Sequence, residues 1–142
     1  MSEPRRTDEC TDDVPGALGS VLGDYPVRLA VLFGSGATGE LGPGSDVDVA
    51  VEFEAGLSRT ERNELRFELL SELMAAVGRD EVDLTEIGDF DPVVGREALA
   101  SCVVLVGSDP RAEYHHEAFE RLAAEVPSFR ERADRVLAGL SR

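Results

Sequence analysis

Residues 31–54 read VLFGSGATGELGPGSDVDVAVEFE. An apolar run stops at Gly34-Ser35, ten residues rich in glycine follow, and Asp46 and Asp48 then stand one residue apart inside a second apolar run. The first run, VRLAVLF over Val27–Phe33, is almost continuously apolar and rich in branched side chains, the pattern of a strand buried on both faces. The second alternates: Val47, Val49, Val51 and Phe53 point one way, and Asp46, Asp48, Ala50, Glu52 and Glu54 the other. That predicts a strand with one face in the core and one face free for chemistry or water.

Side chains two apart on a strand share a face, with Cα atoms about 6.5–7 Å apart, so Asp46 and Asp48 can converge on one small ion. Two such carboxylates repel, and at neutral pH they need a cation or a proton between them. A set of charged oxygens selects a hard ion, Mg²⁺ above all, which keeps some waters and accepts phosphate oxygens. Holding two ions about 3.5–4 Å apart and orienting an attacking hydroxyl calls for a third carboxylate. Asp83 suits that role, on the polar side of a second alternating segment, EVDLTEI over residues 81–87. The turn at Gly34-Ser35 leaves backbone N–H groups unpaired after a buried strand. Such a turn can nest an anion, with glycine permitting close approach and the serine hydroxyl donating one more bond.

Around this stretch the remaining elements fall into place. Residues 1–13, MSEPRRTDECTDD, are polar and aperiodic, and predict a disordered N-terminus before a single domain over 14–142. Val14, Ala17, Leu18, Val21 and Leu22 recur at helical spacing. Ser58 and Glu61 form a capping-box pattern ahead of a long helix carrying Leu65, Leu69, Leu70, Leu73, Met74 and Val77, closed by Gly78. A strand follows over residues 81–87, then a short helix after Asp91-Pro92, then CVVLVG as an edge strand. Residues 110–140 read as helical, with Phe119, Leu122, Ala123, Val126, Phe129, Ala133, Val136, Leu137 and Leu140 on the buried side and a break at Pro127. The order α-β-β-α-β-α-β-α describes an α/β (α+β) domain.

Composition narrows the function. The chain has 142 residues, enough for one core but not for a catalytic domain plus a large substrate domain. Its formal net charge is -15, from 29 acidic and 14 basic residues, and every basic residue is arginine. That balance argues against nucleic acid or an anionic membrane as partner, and suits the acid-rich surface of a halophilic protein. No apolar run approaches the roughly 20 residues that span a bilayer. Cys10 and Cys102 lie far apart with no metal-ligand spacing, and the expectation is a reducing, cytoplasmic setting.

Gly34-Ser35, a ten-residue gap, Asp46-Val47-Asp48 and a later Asp83 together resemble the DNA polymerase β-like nucleotidyltransferase superfamily, in its minimal nucleotidyltransferase (MNT) branch. The resemblance covers residues 14–107 and implies a nucleotidyltransferase fold, a small mixed sheet flanked by helices. It implies that Gly34 and Ser35 bind a nucleoside triphosphate with Asp46 and Asp48, and that Asp46, Asp48 and Asp83 hold two Mg²⁺. It further implies an enzyme that passes AMP from ATP to a hydroxyl. Minimal members are commonly antitoxins that adenylylate a tyrosine of a HEPN-domain toxin, which makes a HEPN-type partner the expected acceptor. A non-catalytic antitoxin that only masks its partner, and a stand-alone small-molecule adenylyltransferase, are the alternatives.

The sequence departs from the family where many members carry arginines after the serine, since Gly36 and Thr38 stand there. Arg96 is a candidate replacement for that charge, although an arginine on a helix surface in so acidic a chain is more often an ordinary ion-pair partner. His115-His116 reads as a pair of exposed residues, because adjacent helical side chains point about 100° apart. Arg5-Arg6 is too short for a nucleic-acid arm.

Overall fold

The computed structural model describes residues 13–34, 46–78 and 81–125. Chain order is α1 (Val14–Leu22), β1 (Val27–Phe33), β2 (Val47–Phe53), α2 (Arg59–Val77), β3 (Val82–Glu86), a 3₁₀ turn (Ile87–Asp89), α3 (Pro92–Ala100), β4 (Val103–Val106) and α4 (Asp109–Ala124). The four strands form one mixed sheet in the order β3-β2-β1-β4, with β1 antiparallel to both β2 and β4, and β2 parallel to β3. This is the α+β architecture expected from the sequence, a small mixed sheet flanked by helices. Of the N-terminus expected to be disordered over residues 1–13, only Asp13 is described, and it caps α1; the rest, the serine of the turn, and the helical continuation beyond Glu125 with Pro127 and Phe129 lie outside the described residues.

Both faces of the sheet are covered, which is why β1 is apolar on both sides. On one face α1 and α2 press Leu18, Leu22, Leu69 and Leu73 onto Ala30, Leu32 and the valines of β2. On the other, Leu29, Val31 and Ala50 meet Ile87, Leu99, Ala112 and Phe119 from the 3₁₀ turn, α3 and α4. A bulge in β1 between Val27 and Leu29 makes this division possible. The extra residue, Arg28, is exposed, and Val27 joins the same face as Ala30 and Leu32 although the plain alternation would separate them.

The second face of β2 is therefore not wholly free. Ala50 has no solvent exposure, and the polar face divides into an Asp48 end and a Glu52 end separated by packed core. The alternating pattern revealed polarity but not the helices that would cover it. Among the described residues no polar or charged residue is fully buried, so Asp48 and Glu52 stay part exposed at the two ends.

The helices start and stop as their residues dictate. Ser58 Oγ accepts from the Glu61 N–H at 3.1 Å and Glu61 Oε1 accepts from the Ser58 N–H at 2.8 Å, a complete capping box of the kind worth about 1 kcal/mol. Gly78 closes α2 with φ +67°, where a side chain would be strained. Asp13, Asp91 and Ser108 cap α1, α3 and α4. The α3–α4 layer closes at Gly95, where a Cβ would stand 2.7 Å from the Phe119 ring. No described helix is long and apolar enough to cross a membrane.

Candidate active site

The sheet lines up the glycine turn and two of the three aspartates. Phe33, the last residue of β1, pairs with Asp48 across the antiparallel ladder, and Asp48 pairs with Asp83 across the parallel one. Gly34, Asp48 and Asp83 thus lie at one end of three adjacent strands, each about 4.8 Å from the next. Asp46 comes two residues before Asp48, just outside the strand, where the neighbouring Val47 N–H donates to the Glu81 carbonyl at 2.9 Å and ties the start of β2 to the start of β3.

Gly34 is glycine for two reasons that meet at this point. Its φ of +72° is in the left-handed region, and a Cβ there would stand 2.8 Å from Oδ2 of Asp48. The backbone of the turn therefore lies directly against the carboxylate, leaving no room for a side chain between them. Ser35, Gly36 and Thr38 lie outside the described residues.

The electrostatics are those of crowded anions. Asp46 and Asp83 are exposed and Asp48 is half-buried. Burial pushes the Asp48 carboxyl above the usual carboxylate range, and the charges of Asp83 and then Asp46 push it the same way. No basic group acts on it among the described residues. Arg96 pairs with its neighbour Glu97 at 3.7 Å, as an ordinary surface arginine does. Among the described residues no group of three His, Cys, Asp or Glu side chains is arranged to hold a metal ion as it stands.

The opposite end of β2 holds a different arrangement, which sequence reasoning missed. Arg111 of α4 grips both carboxylate oxygens of Glu52, with Nε donating to Oε1 at 3.0 Å. His115 Nε2 lies 3.1 Å from the same oxygen but outside hydrogen-bond alignment. His115 is accordingly part buried rather than exposed, a correction to the expectation from the sequence. A cleft of about 280 Å³ opens beside it, lined among others by Glu52, Arg62, Glu86, Gly88 and His115. Spacing four residues apart on α4 was the available signal that Arg111 and His115 share a face.

The family described as polymerase beta nucleotidyltransferase matches residues 18–111, more than half of the chain. No curated protein matches. Among solved structures, a chain of a toxin-antitoxin complex with AMP-PNP is 20% identical, with a TM-score of 0.67, covering 90% of this chain and 98% of its own. A chain of the MntA-HepT toxin-antitoxin complex is 19% identical, with a TM-score of 0.61, covering 91% and 97%. A chain from the tri-AMPylated Shewanella oneidensis HEPN toxin in complex with MNT antitoxin is 18% identical, with a TM-score of 0.63, covering 93% and 99%. At these identities the likeness speaks for the fold.

Proposed function

Because the chain belongs to the polymerase beta nucleotidyltransferase family, we propose that it transfers AMP from ATP to a tyrosine hydroxyl of a HEPN-type toxin, and so acts as an antitoxin. The observation that carries this reading is the row of Gly34, Asp48 and Asp83 on three adjacent strands, with the Gly34 backbone against the Asp48 carboxylate. The structural neighbours support the partner: one holds AMP-PNP and another an AMPylated HEPN toxin beside an MNT antitoxin.

The carboxylates are the hard oxygen donors that a divalent cation takes, although as they stand the three do not converge on one point. Asp48 and Asp83 face each other from adjacent strands, with Asp46 close enough to raise the Asp48 carboxyl, and no described basic group offsets them. Asp46, Asp48 and Asp83 are the residues that would hold magnesium. When bound, magnesium neutralises carboxylate and triphosphate charge together.

The chain's own part is position and proton handling. The Gly34 turn, with Ser35 next to it, cradles the triphosphate through backbone N–H groups beside Asp48. The acceptor oxygen attacks the α-phosphorus in line, its new P–O bond forms as the bond to the β-phosphate oxygen breaks, and pyrophosphate leaves. Asp83, exposed on the outer strand of the row, faces the approaching hydroxyl and takes its proton.

The test mixes the purified protein with Mg²⁺, ATP and a HEPN-type partner at high salt, and follows the partner's tyrosines by mass spectrometry. AMP added with the native chain and lost with Asp48→Asn is the expected result. A partner neutralised equally by native and Asp48→Asn chains without any adduct would establish a masking protein instead. Activity on a small hydroxylated compound with no protein present would redirect the acceptor.

A further inference from the structure

Six phenylalanines occur in the whole chain, and three of them form one edge-to-face series that leads from the core to the aspartates. Phe119 is the buried end, seated over Gly95. Phe90 meets it at 6.2 Å between centroids with the planes at 76°, and Phe33 meets Phe90 at 5.6 Å and 81°. Exposure is least at the core end: Phe119 is 8% exposed, whereas Phe90 and Phe33 are both only part buried. Phe33 is the strand partner of Asp48 and the residue immediately before Gly34. It lies on the same face of the sheet as Asp48, since its neighbours Leu29 and Val31 pack with Ala50 while the valines flanking Asp48 face the other way.

We infer that Phe33 and Phe90 form the aromatic corner that seats the nucleobase of the bound nucleotide, stacked flat on one ring and met edge-on by the other. The inference rests on the nucleotidyltransferase reading and adds to it the seat of the base. Three features select a base over the acceptor. The rings adjoin β1 and the Gly34 turn, the triphosphate side of the row, whereas Asp83 marks the acceptor side on the outer strand. A base is flat, uncharged and poorly hydrated on its faces, so it adds nothing to the repulsion among the aspartates and gains by covering exposed ring surface. Stacking of this kind tolerates any base, because each offers a π face. The site would then accept ATP, GTP, CTP and UTP within several-fold of one another, purines ahead.

Calorimetric titration in Mg²⁺ buffer separates base from phosphate, using ATP and inorganic tripolyphosphate as the two probes. Phe33→Leu and Phe90→Leu keep apolar bulk and remove the π face. Each is expected to weaken ATP about tenfold, at the lower end of the effect of losing one stacked base, and to leave tripolyphosphate unchanged. Equal losses for both probes would show that the rings only support the turn, and an unchanged ATP affinity would place the base elsewhere. Should a variant fold poorly, the native chain still answers. A 2-aminopurine ribonucleoside triphosphate is quenched when it stacks, and a probe that binds yet stays bright overturns the inference. A native chain that binds tripolyphosphate as tightly as ATP removes the base seat alone. One that binds neither removes the nucleotidyltransferase reading together with it.

Discussion

Gly34 and Asp48 show how one atom pair links backbone conformation to chemistry. Gly34→Ala forces an L side chain into φ +72° and drives its Cβ to 2.8 Å from the Asp48 carboxylate. The left-handed conformation costs about 1–2 kcal/mol, a loss the fold can absorb, but the carboxylate must also move. AMP transfer should fall far more than thermal stability does, and comparing the two in one preparation checks it; parallel losses would make Gly34 a folding residue only. Asp48 itself works against the fold. A carboxyl held above its unfolded value of 3.8 binds its proton more tightly in the folded chain. That favours folding at low pH, and the advantage is lost as pH rises from 3.8 through the raised value, so charged Asp48 opposes folding at neutral pH. Asp48→Asn should therefore melt a few degrees higher than the native chain at pH 7 in metal-free buffer. Mg²⁺ should raise the native melting temperature and leave that of the variant nearly unchanged. A lower melting point for Asp48→Asn would mean that its carboxylate makes a stabilising contact.

At the scale of elements, β2 carries opposite charge logic at its two ends. Burial pushes the Glu52 carboxyl up, but the two Arg111 hydrogen bonds, with His115 close by, outweigh it and hold the group below its ordinary 4.5. The stability this latch contributes is present above pH 4.5 and is lost as pH falls through the lowered value. Glu52→Gln should cost about 1.5–3 kcal/mol at pH 7, the range for hydrogen bonds to a charged group, with the difference from the native chain shrinking as pH falls below 4.5. Denaturant titrations at both pH values measure this, and a pH-independent difference would assign the effect to packing. The latch also marks where sequence reasoning stopped. β1 and α2 were legible because continuous branched residues, a capping box and a closing glycine act within a few positions of one another. The polar side of β2 was read as open, since alternation identifies a polar face but cannot say that Phe119 and Ala112, more than sixty residues later, will cover Ala50. His115 departs from the sequence expectation for the same reason: its environment is set by Glu52, not by its helical neighbours. The row of Gly34, Asp48 and Asp83 was foreseeable as a set of residues, while the strand register that aligns them required the folded chain.

For the whole molecule, the dominant electrostatic fact is a net charge of -15 on 142 residues. Acidic groups outnumber arginines about two to one, so one-to-one pairing would leave about half of the carboxylates without a basic partner. Raising salt from 0.1 to 1 M shortens the screening length from about 10 to 3 Å. Repulsion spread over the surface is screened out over that range, whereas the Glu52–Arg111 and Glu86–Arg62 contacts are part buried and within bonding distance. Self-repulsion should therefore lose more than the ion pairs do, and the melting temperature should climb steadily with NaCl. Differential scanning fluorimetry across that series measures the slope. Arg62→Gln, which removes one of those short pairs, should lower the whole curve without flattening it. A melting temperature that falls with salt would mean that ion pairs, not net charge, govern the stability of this acid-rich chain.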